Sequence, residues 1–180
     1  MKNLKFTIKD LVVISISTAI IFVQQMAFAV LPNIQLTTLL IVLYSKVLGF
    51  RKTTIIIIIH VIVYNILSIF GAINPAYLPF MIFAWMLIPI LLSTVFKKVN
   101  SSLFLAIIGL VFGFVYGWIL VIPAVFVTKS PFIPYLIADI PFEIMMAVSN
   151  FITIYLFYDR LNLVFRGLLD DFYQNESIID

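Results

Sequence analysis

Six apolar segments, each close to the length that crosses a bilayer, follow one another with only short breaks between them. No other feature restricts the fold so tightly. About 20 apolar residues are needed to span the hydrocarbon, and in lipid the backbone polar groups must be satisfied internally. The segments cover roughly 11–30, 32–50, 53–70, 77–96, 102–127 and 134–158. Composition agrees: 64% of the 180 residues are hydrophobic and 11% charged, where soluble domains are about half apolar and a quarter charged. A water-soluble globule is excluded, and so is a disordered chain, which needs low hydrophobicity and high charge. The expected fold is an all-α integral membrane protein, one membrane domain over 1–180. With no cysteine, a disulfide framework, a thiol nucleophile and a thiolate metal site are all excluded.

The charges give the topology. Lys2, Lys5 and Lys9 precede helix 1; Lys46, Arg51 and Lys52 flank the helix 2–3 turn; Lys97 and Lys98 lie in the helix 4–5 turn; Arg160 and Arg166 follow helix 6. Of eleven basic residues only Lys129 falls on the other side. The positive-inside rule then places both termini in the cytoplasm, as an even number of spans requires. The first segment is too long for the apolar region of a signal peptide and reads as a retained helix. Pro32 is a good first-turn residue for helix 2. Lys46, one turn inside helix 2, is expected to snorkel to the interface. In the tail, 159–180, Leu161, Val164, Phe165, Leu168, Leu169 and Phe172 recur at helical spacing, which predicts a short amphipathic helix on the inner membrane surface.

Ionisable residues inside a membrane are costly and mark functional sites. Asp139 and Glu143 are four apart and share one helical face, which Asn150 extends inward by seven residues. Two readings are open. Asp139 caps a helix that starts near Ile140, with Pro141 in its first turn and Glu143 favouring the N-terminal dipole; or the three line an outward-opening pocket for a group with positive charge or hydrogen-bond donors. Trp85 is a candidate for stacking on a planar ligand. His60 is the only histidine, so a multi-histidine metal site is excluded; His60 and Asn65 on helix 3 fit interhelical hydrogen bonding, as does at least one of Gln24 and Gln25 on helix 1. Gly109, Gly113 and Gly117 form two overlapping G-x-x-x-G steps and predict a close helix–helix contact along helix 5. Ser15 and Ala19 make a weaker small stripe on helix 1.

The size, the six spans and two stretches, LPNIQLTTLLIVLYSKVLGFRKT and YLIADIPFEIMMAVSNFITIYLFYDRL, resemble the S components of energy-coupling factor (ECF) transporters, the substrate-binding subunits of importers for vitamins and related micronutrients. The resemblance covers about 8–160. Helix 1 departs from the family's alanine–three residues–alanine motif, with Ser15, Ala19 and then Val23. The resemblance implies one small molecule bound near the outer face by Asn74, Tyr77, Trp85, Tyr135, Asp139, Glu143 and Asn150. It also implies a transmembrane T component that meets Ser15 and Ala19, two cytoplasmic ATPases, and a plasma-membrane location. It implies no catalytic residue, metal or cofactor in this chain, and the sequence indeed carries no G-x-x-x-x-G-K-[ST] phosphate loop. An acidic pocket with aromatic walls fits a cationic or donor-rich ring such as thiamine, hydroxymethylpyrimidine or a pyridoxine-like compound better than an anion such as folate or pantothenate, and it leaves riboflavin, cobalamin and a queuosine precursor open.

Two other classes fit less well. A self-sufficient secondary transporter calls for a titratable residue at the midplane and an inverted repeat, and neither is evident. An intramembrane enzyme would have to use Asp139, Glu143 and His60, yet the carboxylates lie on the outer half and His60 on the inner half of about 30 Å of hydrocarbon.

Overall fold

The computed structural model describes residues 6–68, 71 and 74–174. Among these the chain forms six α-helices and one 3-10 turn, with no strand: α1 Ile8–Ala27, α2 Thr37–Val47, α3 Gly49–Leu67, the 3-10 turn Pro75–Tyr77, α4 Leu78–Ser93, α5 Ser102–Thr128 and α6 Phe132–Gln174. Five of them are long and apolar enough to cross a membrane, counting the 3-10 turn with α4. Within these spans only 28–33% of the most apolar stretch is buried in the protein. The remainder presents large aliphatic and aromatic side chains outward, such as Val12, Ile16, Ile20 and Val23 on α1. Soluble monomers do not expose apolar surface on this scale; lipid accepts it. The fold is that of a multi-pass membrane protein.

α2 differs from the other helices. Its eleven residues rise only about 16 Å, yet every residue from Thr37 to Tyr44 is buried, and it touches each of the other five helices. It is the axis around which the bundle packs. The sequence places its start at Pro32; the structure places it at Thr37, with residues 28–36 in turns and Asn33 in the left-handed region at φ 57°. The reason is a cap supplied by another helix. Gln24 of α1 accepts a hydrogen bond from the Leu36 amide (2.8 Å) and donates one to the Thr37 hydroxyl (2.7 Å), which satisfies the amide of Leu36 and pins the first helical residue, where Leu36, an apolar N-cap, makes no side-chain cap bond of its own. Gln24→Leu is therefore expected to lower bundle stability by about 1–2 kcal/mol, read as a lower thermal midpoint in detergent. An unchanged midpoint would show that the cap is dispensable.

The other boundaries follow local chemistry. Thr7 and Asp10 form a reciprocal capping box that opens α1 three residues before the predicted 11. Gly49, at φ 80°, turns α2 directly into α3, which begins there and not at 53. α3 ends at Leu67 and α4 at Ser93, both short of the predicted 70 and 96. α5 matches its predicted range within a residue and closes on Lys129 in the left-handed region.

α6 corrects the largest expectation. The predicted break after 158 is absent: one helix of 43 residues, roughly 64 Å long, runs from Phe132 to Gln174. The tail is the continuation of α6 and not a separate surface helix; residues 175–180 lie outside the described part. The tail is docked on the basic end of the bundle. Phe165 packs on Tyr44 of α2 with ring centroids 5.4 Å apart. The Arg166 guanidinium donates to the Lys46 carbonyl. Further on, the Tyr173 hydroxyl donates to Asp10 of α1 (2.8 Å), which is ion-paired with Lys52 of α3. Lys46 does not simply reach for water: its ammonium donates to the carbonyls of Phe96 (2.8 Å) and Lys97 (3.3 Å), past the end of α4.

The most extensive helix pair is α5 with α6. The glycine stripe faces α6 along its whole length: Gly109 meets Ile154 and Asn150, Gly113 meets Ala147, and Gly117 meets Glu143. A Cβ on Gly113 would lie 2.6 Å from the backbone nitrogen and Cα of Ala147, so this is where the two backbones come closest. The contact expected for the G-x-x-x-G steps is thus made within the chain.

Candidate functional site

At the end of the bundle opposite the basic cluster, the α5–α6 pair opens into a cavity of about 190 Å³. α6 supplies Tyr135, Asp139, Glu143 and Met146; α5 supplies Tyr116, Leu120, Val121 and Ala124 with the bare backbone of Gly113 and Gly117; the 3-10 turn supplies Tyr77 and the α1–α2 turn supplies Asn33. Four residues singled out in the sequence, Tyr77, Tyr135, Asp139 and Glu143, therefore share one space. The helical period explains two of them: Asp139 and Glu143 are one turn apart on the face turned to α5. They do not cap α6, which begins seven residues earlier at Phe132.

Glu143 is 2% exposed, and its Oε1 has no hydrogen-bond partner. The absence of a side chain at Gly117 leaves room for the Glu143 carboxyl, which a Cβ there would meet at 2.6 Å. Among the described residues no lysine, arginine or histidine lines the cavity. Two carboxyl groups in one low-dielectric space, with no basic side chain in the walls, select for positive charge or for N–H and O–H donors. The tyrosines add π-faces to which a cation is also attracted.

A second cavity of about 280 Å³ adjoins the first, sharing Asn33, Tyr116 and Leu120 as a common wall. Gln25, Gln35, Tyr64 and Met81 are among its lining. The wall residue Asn33 is fastened by its side-chain amide to the Phe142 carbonyl of α6 (3.0 Å), which ties the α1–α2 turn across the site.

The remaining candidates lie elsewhere. Trp85 is 1% exposed and lines neither cavity; its ring packs 4.8 Å from Tyr116 and 5.3 Å from Phe112, centroid to centroid, so it holds Tyr116 from behind. Asn74 accepts a hydrogen bond from the Ala76 amide and caps the 3-10 turn that carries Tyr77. Asn150 is fully buried and donates to the Gly109 carbonyl (3.0 Å), deeper in the α5–α6 seam. Asn65 donates to the Val61 carbonyl and to Met81 Sδ. His60 is buried with an unpartnered Nδ1, and its ring centroid lies 6.1 Å from that of Tyr64. Ser15 and Ala19 are exposed on α1. Among the described residues no group of three or more histidine, aspartate or glutamate side chains could hold a metal ion.

Asn33 and Tyr116 are cavity residues that sequence reasoning passed over, and Gln25, read there as an interhelical hydrogen-bonder, lines the second cavity. Tyr116 carries the clearest signal, a phenol set between Gly113 and Gly117 in an otherwise apolar helix. No family model, curated protein or solved structure matches the chain.

Proposed function

We propose that this chain is the membrane-embedded substrate-binding subunit of an ECF-type importer, taking a small water-soluble vitamin or precursor with a cationic or donor-rich ring. The observation that carries this reading is the cavity at the end remote from the basic cluster, walled by Asp139, Glu143 and three tyrosines, with no basic side chain among the described residues. Joined across their shared wall, the two cavities approach the size of small-molecule sites, about 300–1,000 Å³. In this reading six helices enter the bilayer, α2 being a short one completed by the 28–36 turns, whose irregular backbone is tolerable at depth because it lines a cavity. The basic end, with both termini, faces the cytoplasm, and the cavity opens outward across the plasma membrane. The chain is not an enzyme; ATP is hydrolysed by two partner ATPases, and the exposed Ser15 and Ala19 face a T component.

The test is direct binding to the purified protein, by calorimetry, of thiamine, hydroxymethylpyrimidine and pyridoxine against folate and pantothenate. Tight binding of one of the first three is expected. Tight binding of an anionic vitamin alone would overturn the substrate class. Co-expression with neighbouring genes is expected to bring down a T component and two ATPases, and accumulation of substrate by this chain alone would overturn the subunit assignment.

A further inference from the structure

The glycine stripe draws α5 onto α6, and far less of α5 packs against α4. Between α4 and α5 this leaves a groove of about 280 Å³. Its walls include Leu87, Leu91, Phe96, Phe104, Ile107 and Val111, and every other lining residue is likewise apolar. From Phe104 to Val115 the groove follows twelve residues of α5, a rise of about 16 Å. That is half of the roughly 30 Å hydrocarbon thickness, so the groove covers the depth of one leaflet. It starts at the basic end, where the rings of Phe96 and Phe104 meet at 5.4 Å between centroids.

Lys97 and Lys98 follow Phe96 directly. Both are exposed, and neither side chain has a hydrogen-bond or ion-pair partner among the described residues. The Lys46 ammonium, held on the Phe96 and Lys97 carbonyls, adds a third charge at the same place. No acidic residue occurs in 94–101 to offset them.

We propose that this groove binds one acyl chain of an anionic phospholipid, whose phosphate lies on Lys97 and Lys98. An apolar channel one leaflet deep takes a methylene chain and rejects any water-soluble ligand. The unpaired lysines at its mouth select the headgroup, as basic clusters at a membrane surface select anionic lipids. The site is separate from the cavity at the other end and independent of what that cavity binds.

The test titrates the full-length protein in neutral detergent with phosphatidylglycerol or phosphatidylcholine and counts bound lipid by native mass spectrometry. One phosphatidylglycerol is expected to bind at least tenfold more tightly than phosphatidylcholine. The double variant Lys97→Gln/Lys98→Gln should lose roughly thirtyfold in phosphatidylglycerol affinity, at about fivefold per lysine, with no change for phosphatidylcholine. Val111→Trp fills the groove from its exposed wall and should remove the bound lipid while the thermal midpoint holds. Equal affinity for the two lipids, or lipid retention by Val111→Trp, would overturn the proposal. It would equally be overturned by Val111→Trp releasing a copurifying protein subunit while leaving lipid binding intact.

Discussion

Gly113→Ala will destabilise the bundle by about 2 kcal/mol, far more than the same change at Gly109 or Gly117. All three glycines lie on one face and look equivalent in sequence, but what faces them differs. A methyl at Gly113 meets the Ala147 backbone at 2.6 Å, and backbone in a packed helix moves only if the helices separate. At Gly109 it meets the Cδ1 tip of Ile154 at 2.5 Å, which can rotate away. At Gly117 it meets the Glu143 side chain, which can swing into the cavity. Overpacking costs about 1–3 kcal/mol, while alanine returns up to about 1 kcal/mol in helix propensity over glycine. The expected order of thermal midpoints is therefore Gly113→Ala lowest, Gly117→Ala intermediate and Gly109→Ala near wild type. A uniform loss at all three would mean that the seam tolerates no local relaxation and would refute the ranking. Gly117→Ala carries a second signature, because displacing Glu143 should weaken ligand binding beyond its effect on stability.

Asp139→Asn and Glu143→Gln will each raise the dissociation constant of a cationic ligand by at least about thirtyfold, since removing one partner of a buried charge pair costs 2–5 kcal/mol or more. The ligand-free protein will not melt lower. Both replacements keep the shape of the side chain, and Glu143 in particular is 2% exposed with an oxygen that bonds to nothing. Neutralising such a group removes a desolvation penalty. Reduced affinity with undiminished stability separates a binding role from a structural one. Unaltered affinity in both variants would remove the carboxyl groups from the site. Asn150→Leu provides the contrast: it breaks the bond to the Gly109 carbonyl and should lower stability by about 1–3 kcal/mol with little direct effect on ligand contacts.

The features legible in the sequence are those written in period and sidedness. The apolar runs, the basic residues gathered at one end, the three glycines and the shared face of Asp139 and Glu143 all follow from helical spacing along one segment. What stayed hidden depends on contacts between segments. Pro32 is a plausible helix start by local rules, and only a glutamine thirteen residues before Thr37, reaching across from α1, moves the start to Thr37. The charges from Asp159 onward look like an exit from the membrane, but nothing there breaks a helix. Gly167 is a single glycine with open space around it, so α6 simply continues. Asn150 sits on the same stripe as Glu143, yet the stripe runs along the α5–α6 seam, and only its upper part meets open space. Asn33 enters the site through a left-handed turn and a bond to α6 that no spacing rule anticipates.

The enclosed α2 also bears on how the protein is made. A helix of eleven residues falls well below the roughly 17–25 that hold a lone segment across a bilayer, and its threonines Thr37 and Thr38 are fully shielded only once the surrounding helices are in place. It cannot partition into lipid on its own merits. If six helices enter the bilayer as proposed above, α2, joined to α3 through the single turn at Gly49 and capped at its other end by Gln24 of α1, is carried in as part of a helical hairpin and released from the insertion machinery together with its neighbours. The step that commits this chain to its membrane is therefore the joint entry of α1 to α3, and a ribosome-stalled fragment ending after α2 should remain accessible to water-borne thiol reagents at an introduced Leu43→Cys, where a fragment ending after α4 should not.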